Sequence, residues 1–293
     1  MKALIFGANG QDGYYLSKAC RQRAIEPIGI SRSGNWLKGD ISCYEQVEQL
    51  ICHYLPDFVF HLAANSSTNH NVLWENHQTI CTGAMNLLEA VRLHCPSAKV
   101  FITGSGLQFV NDGSPISEET RFNTSSAYAL SRIQSTYAAR YFRSLGLQVY
   151  VGYLFHHESP LRKIHHISKK IATAVQQIAK GKLDVLEIGS IKVKKEWTFA
   201  GDVVEGILSL VQQNEIYEAV IGSGVPYSIE DWIELCFRHV GLDWQKYVIC
   251  QQGFVAEYPC LLSDPKTICT LNWKPLVDLP ALATLMMSNH EEL

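Results

Sequence analysis

Two rhythms of apolar and polar positions alternate along the first half of the chain. Short apolar runs at Lys2–Phe6, Pro27–Ser31, Phe58–Leu62, Lys99–Thr103 and Gln148–Tyr153 have the length of strands. Between them apolar residues recur every three or four positions, predicting helices to about Arg23, then over Tyr44–His53, Thr79–His94 and Ser126–Ser144. Strands this apolar are covered on both faces, and the helices between them make right-handed crossovers. The pattern therefore predicts an α/β fold with a doubly wound parallel sheet, of Rossmann type. Past residue 153 the rhythm loosens into a helix after Pro160, a short strand at Val185–Ile188, helices near Val203–Gln213 and Ile229–His239, and a proline-bearing tail. The expected division is a first domain over 1–153, rejoined by about 197–222, and a smaller α/β region from 154–196 and 223–293.

At 293 residues and 47% hydrophobic content, the chain is long and apolar enough for a continuous core. The net charge of -3 and the absence of any long Lys or Arg run exclude an electrostatic footprint for nucleic acid. Lys192, Lys194 and Lys195 form the densest basic cluster, either a solvated patch or a contact for a phosphate-bearing ligand. The first strand follows Met1 directly, and no apolar run approaches the roughly 20 residues of a membrane helix, so a cytoplasmic protein without a membrane partner is expected. Nine cysteines are scattered without a C-x-x-C pair and read as reduced thiols. The doublets His156-His157 and His165-His166 point adjacent side chains apart and lack a Cys or carboxylate framework, so no metal is expected.

Chemistry enters at Gly7, Gly10 and Gly13, spaced G-x-x-G-x-x-G between the first strand and its helix. The first glycine permits a sharp turn, the second lets the backbone approach a pyrophosphate, and the third allows close helix packing, with helical N–H groups facing the phosphates. Where the second strand ends, Ser31-Arg32-Ser33 offers a guanidinium and no carboxylate. Arg32 pairs with a 2′-phosphate where an acid would repel it, which points to NADP(H) rather than NAD(H). Asp40 either touches the adenine edge or serves as a turn aspartate. Downstream, Ser105 follows a strand, and Tyr128 and Arg132 sit one helical turn apart. A phenol with a pKa of about 10 becomes an effective acid–base group when a neighbouring cation stabilises its phenolate, and a serine hydroxyl can hold the substrate oxygen.

These residues resemble an extended short-chain dehydrogenase/reductase over nearly the whole chain, and within that superfamily the GDP-mannose 4,6-dehydratase branch. The similarity is carried by Gly7 to Leu16, by the superfamily signature His61-Leu62-Ala63-Ala64, and by Leu154-Phe155-His156-His157-Glu158-Ser159-Pro160. It continues with Trp197 and Asp202, then Leu262-Ser263-Asp264 and Trp273-Lys274-Pro275. The resemblance implies a cofactor site formed by Gly7, Asn9, Gly10, Gln11, Asp12, Gly13, Arg32, Asp40, Ile41, Leu62, Ala63, Ala64, Tyr128, Arg132, Leu154 and His157. It implies substrate contacts at Ser66, Ser105, Leu107, His156, Glu158, Lys169, Lys195 and Glu257, and a homodimer through the helices near Thr79–His94 and Ser126–Ser144.

Departures from the family pattern bear on the reaction. Dehydratases of this branch carry a glutamate two residues after the active-site hydroxyl, where this chain has Leu107, and leucine cannot transfer a proton. The family Tyr-x-x-x-Lys is here Tyr128-Ala-Leu-Ser-Arg132. His156 and Ser190 stand in place of asparagines, and Phe254 in place of an arginine. The expected activity is NADPH-dependent reduction of the 4-keto group of a GDP-activated deoxysugar, hexose or heptose, for surface polysaccharide synthesis, with Ser105, Tyr128 and Arg132 as the catalytic set. The alternatives are a C4 oxidase or epimerase, a 4,6-dehydratase, and a non-catalytic homologue that binds nucleotide sugar.

Overall fold

The computed structural model describes residues 1–256 and 258–288. One sheet contains β1 (Lys2–Phe6), β2 (Glu26–Ser31), β3 (Leu37–Lys38), β4 (Phe58–His61), β5 (Lys99–Ser105), β6 (Gln148–Leu154) and β7 (Glu218–Ile221). The longer helices are α1 (Gln11–Gln22), α2 (Tyr44–Tyr54), α3 (Gly83–His94), α4 (Ala127–Ser144), α5 (Ile167–Ala179), α6 (Ala200–Val211), α7 (Ile229–His239) and α8 (Leu279–Met287).

The strands lie in the order β7-β6-β5-β4-β1-β2-β3, and every pairing is parallel. The chain starts mid-sheet, winds out to β3, returns to β4 and winds the other way. That reversal opens a crevice at the carboxyl ends of β1 and β4. On one face Leu16 and Cys20 of α1 and Val203, Ile207 and Leu210 of α6 pack on Ile5, Phe60 and Phe101. On the other, Val47 and Ile51 of α2, Leu87 and Val91 of α3 and Phe142 of α4 pack on Leu4, Val59 and Val100. The sheet is thus buried on both faces, which is why its strands read as unbroken apolar runs.

A separate core joins α5, α7 and α8 around the fully buried Trp232, whose ring stacks on Trp197 at 4.9 Å between centroids. Short strand pairs surround it, among them His157–Glu158 with Thr198–Phe199 and Leu186–Ile188 with Val248–Cys250. Strands of two or three residues carry no readable period, so most of these escape sequence reasoning, as does β3. Asp202 pins the C-terminal segment to α6: its carboxylate accepts the N–H groups of Leu276 and Val277, each at 2.8 Å, and its carbonyl accepts Trp273 Nε1–H at 2.8 Å.

One helix differs from expectation. The pattern predicts Thr79–His94, whereas regular α-helix begins at Gly83, after a helical turn at Leu73–Asn76 and a wider π-type turn at His77–Thr82. Apolar spacing from Ile80 through Ala84, Leu87, Leu88 and Val91 looks like one uniform helix, and the polar residues before Ile80 give no periodic signal. Thr79, on the π turn, reaches the crevice. Such turns are frequent at functional sites.

Candidate active site

The glycine loop follows its spacing atom by atom. Gly7 has φ 94°, and a Cβ there would lie 2.6 Å from the Ala63 nitrogen, so the turn requires glycine twice over. A Cβ on Gly13 would meet the Ala8 Cα at 2.5 Å, which fixes α1 tightly against the loop. Among the described residues, a Cβ on Gly10 would meet just the Gly7 carbonyl oxygen, at 3.3 Å, so its outer side is open. Gly10 caps α1 without any side-chain cap hydrogen bond, leaving the first-turn N–H groups available to an anion. A cradle that a Cβ would fill, at a helix N-terminus, fits a dinucleotide pyrophosphate.

A cavity of about 210 Å³ opens beside this loop, and its lining includes Gly7, Asn9, Gly10, Arg32, Asp40, Ile41, Leu62, Ala63 and Ala64. Nine of the expected cofactor residues therefore meet in one place. Thr79 and Lys163 line it too, and neither was anticipated from sequence. Asp40 behaves as a turn residue, since its Oδ1 accepts the Ser42 N–H at 2.9 Å and hydroxyl at 2.8 Å.

Gln11, Asp12 and His157 bind one another rather than facing open space. Gln11 Nε2 donates to the His157 carbonyl at 3.1 Å and Gln11 Oε1 accepts the Ser159 hydroxyl at 2.8 Å. His157 Nε2 lies 3.0 Å from Asp12 Oδ1. Burial opposes charge on both, yet their mutual attraction and hydrogen bond win, so His157 is held above its ordinary pKa and Asp12 below. This pair clamps the start of α1 to the segment after β6.

Ser105 ends β5, register-paired with Leu154 at the end of β6, and is 7% exposed. Its hydroxyl accepts the Leu107 N–H at 3.2 Å, and Gln108 Oε1 accepts the Ser105 N–H at 2.9 Å. Gln108 is fully buried and its Nε2 donates to Thr136 Oγ1 at 3.1 Å, which in turn donates to the Arg132 carbonyl at 3.0 Å. The serine turn is thereby bolted to α4. The signal for Gln108 lay in the sequence as a Ser-x-x-Gln capping box, Ser105 to Gln108.

Tyr128 and Arg132 occupy the first turns of α4, which Ser126 caps by accepting the Ala129 N–H at 3.1 Å. The Arg132 guanidinium lies 5.1 Å from the Tyr128 ring centroid, and its Nη1 donates to the Thr103 carbonyl at 2.5 Å. Nearby His61 is driven down to a pKa of about 3 by burial and then by the Arg132 charge, so it is neutral. Leu107 offers no proton and packs its side chain against the sheet core.

The expected substrate contacts fall into two groups. Lys169, Lys195 and His156 do not line the cavity beside the glycine loop. Lys169 Nζ donates to the Pro160 carbonyl at 3.0 Å, Lys195 is buried with its Nζ 5.9 Å from the Trp197 ring, and His156 Nε2 is 3.4 Å from the Tyr258 hydroxyl. Burial, then the Lys195 charge, keeps His156 neutral. Glu158, by contrast, is engaged within the chain, 3.1 Å from Arg162 and accepting the Ser168 hydroxyl at 2.6 Å. Ser66 is exposed on the loop after Ala64, and Glu257 lies outside the described residues. In the basic cluster, Lys192 pairs with Glu230 at 2.6 Å. Among the described residues no group of His, Cys, Asp and Glu is placed to hold a metal ion, and no helix is long and apolar enough to cross a membrane.

A family model described as GDP-mannose 4,6 dehydratase matches residues 4–286. The chain belongs to the GDP-mannose 4,6-dehydratase family. It is 31% identical to GDP-mannose 4,6 dehydratase 2 of Arabidopsis thaliana over 324 residues, covering 99% of this chain and 87% of that protein. GDP-mannose 4,6-dehydratase of Vibrio cholerae is 27% identical over 82% of this chain and 72% of its own. Among solved structures, RMD from Pseudomonas aeruginosa complexed with NADPH has a TM-score of 0.87 at 20% identity, covering 98% of this chain and 97% of that one. dTDP-glucose 4,6-dehydratase from Bacillus anthracis in complex with NAD has a TM-score of 0.84 at 17% identity, covering 99% and 98%. The structural likenesses establish the fold. Family membership and fold agree with the resemblance carried by the sequence motifs.

Proposed function

We propose that this member of the GDP-mannose 4,6-dehydratase family is an NADP(H)-dependent oxidoreductase that reduces the 4-keto group of a GDP-linked deoxysugar. The observation that carries the reading is Leu107. By the family resemblance it stands in the place of the dehydratase glutamate, its partly buried side chain packs against the core, and its N–H donates to Ser105 Oγ. Elimination of water across C5 and C6 needs a proton acceptor there, whereas reduction at C4 does not. Ser105, Tyr128 and a cation at 132 suffice for reduction.

The glycine cradle, the free first turn of α1 and Arg32 fit an NADP dinucleotide. A nicotinamide dinucleotide held by these residues would supply hydride. Ser105 Oγ orients the substrate carbonyl oxygen, and Tyr128 delivers its phenolic proton to that same oxygen as the carbon is reduced. Arg132 keeps positive charge against the Tyr128 ring and, through Thr103, fixes α4 to β5. The buried Phe155 ring packs against the serine turn, 2.8 Å from where a Cβ on Gly106 would stand. We assign dinucleotide binding to 1–153 and 197–222, and sugar-nucleotide binding to 154–196 and 223–293. The second region has its own core, and Lys169 and Lys195 supply the positive charge for a diphosphate.

The curated relatives are named dehydratases, which favours 4,6-dehydration of GDP-mannose as a second reading. Supplying the protein with GDP-mannose alone, and separately with a GDP-linked 4-keto-6-deoxyhexose plus NADPH, separates the two. We also propose a homodimer. Met85 and Leu93 on α3 and Leu130, Tyr137 and Tyr141 on α4 are 37–58% exposed, with Trp74 beside them at 73%, an apolar face suited to a two-fold partner.

A further inference from the structure

Arg32 has company at the rim of the cavity. Its Nη2 lies 3.6 Å from Glu75 Oε1, and the other Glu75 oxygen accepts a hydrogen bond from Asn65 Nδ2 at 3.0 Å. Asn65 Oδ1 in turn accepts the Ser67 N–H at 3.1 Å, so the carboxylate is tethered to the loop that follows Ala63 and Ala64. The acid arrives from the helical turn Leu73–Asn76, far along the chain from the Ser31-Arg32-Ser33 segment, which itself lacks any carboxylate. Asp40, the other carboxylate here, is turned onto Ser42. Both side chains are about half exposed, 58% and 45%, so the pair is weak enough for Arg32 to exchange partners.

We propose that Glu75 is a specificity-determining residue for the dinucleotide, opposing Arg32 so that preference for a 2′-phosphate over a 2′-hydroxyl stays below what Arg32 alone would give. The inference rests on the assignment of Arg32 to the adenosine ribose. A phosphate dianion received by the guanidinium sits within a few ångströms of the Glu75 charge and is repelled by it. A ribose hydroxyl in the same place donates to that carboxylate instead. The two residues therefore pull the cofactor choice in opposite directions, and discrimination is their balance.

The test is dissociation constants for NADPH and NADH, by quenching of tryptophan fluorescence, for the parent, Glu75→Gln, Arg32→Ala and the double variant. Glutamine keeps an oxygen for Asn65 and removes only the charge. Glu75→Gln is expected to raise the NADPH-over-NADH affinity ratio about five- to tenfold, the scale of one like charge several ångströms away in an intermediate dielectric, and the gain should shrink with added salt. Arg32→Ala should lower the ratio, and the double variant should discriminate little. A ratio that falls in Arg32→Ala but is unmoved in Glu75→Gln would overturn the role of Glu75 while leaving the Arg32 assignment intact. A ratio unmoved by either variant, or a parent that binds neither dinucleotide, would overturn both.

Discussion

The Arg132 guanidinium lies over the Tyr128 ring, 5.1 Å from its centroid, while its Nη1 is committed to the Thr103 carbonyl at 2.5 Å. A planar fork is thus used for two jobs at once, charge beside the phenol and a strut to β5, which a compact ammonium would not duplicate.

With a suitable 4-keto sugar nucleotide, Tyr128→Phe should lower turnover by about 10²–10⁴-fold, as for a lost general acid, while cofactor affinity stays close to the parent's. Arg132→Ala should reduce both rate and affinity. Arg132→Lys should fall short of the parent rate, because lysine keeps the charge but gives up the fork. Steady-state kinetics and NADPH titrations check all three, and a lysine variant as fast as the parent would remove any special role for the guanidinium.

The glycine loop separates fold from binding. Gly13→Ala drives a Cβ to 2.5 Å from backbone and should destabilise the protein by about 1–3 kcal/mol, as overpacking does. Gly10→Ala meets only one atom, at 3.3 Å. It should retain the parent melting temperature yet weaken NADPH binding, because its methyl group occupies the phosphate approach. Calorimetry with and without NADPH distinguishes the two variants.

The Asp12–His157 clamp gives a pH signature. His157 has a folded pKa above 6.5, so its contribution is complete below 6.5 and is lost as pH rises through the folded value. Asp12 has a folded pKa below 3.8, so its contribution is present above 3.8 and is lost as pH falls. The stability gap between parent and Asp12→Asn should therefore be widest between these limits and narrow on the alkaline side, measured by denaturant unfolding at stepped pH. A gap that grows on the alkaline side would contradict the ion pair.

Tyr137→Glu combined with Tyr141→Glu should convert a dimer to a monomer in sedimentation velocity at micromolar concentration. A parent that sediments as a monomer would dispose of the dimer.

Local patterns made much of this legible. Gly7, Gly10 and Gly13 announce a turn, an open approach and a close contact, and the loop has all three. Tyr128 and Arg132 are one turn apart on a helix, so their pairing needed no long-range knowledge. Glu75 beside Arg32, Lys163 at the cavity and the clamp of Asp12 by His157 join residues distant in sequence, and periodicity carries no such information. Asp40 shows the converse limit: a carboxylate near a site satisfies whichever donor is nearest, here Ser42. The π turn at His77–Thr82 was hidden because Ile80 keeps the apolar spacing of the helix that follows, and the polar residues before it give no periodic signal.

Incubation with a GDP-linked 4-keto-6-deoxyhexose and NADPH, following loss of the reduced nicotinamide absorbance, is the most direct measurement. The account predicts stoichiometric NADPH consumption with reduction at C4, abolished in Tyr128→Phe, and no product from GDP-mannose alone. Formation of a 4-keto-6-deoxy sugar from GDP-mannose by the unaltered protein, without net use of NADPH, would contradict it and make the protein a dehydratase despite Leu107.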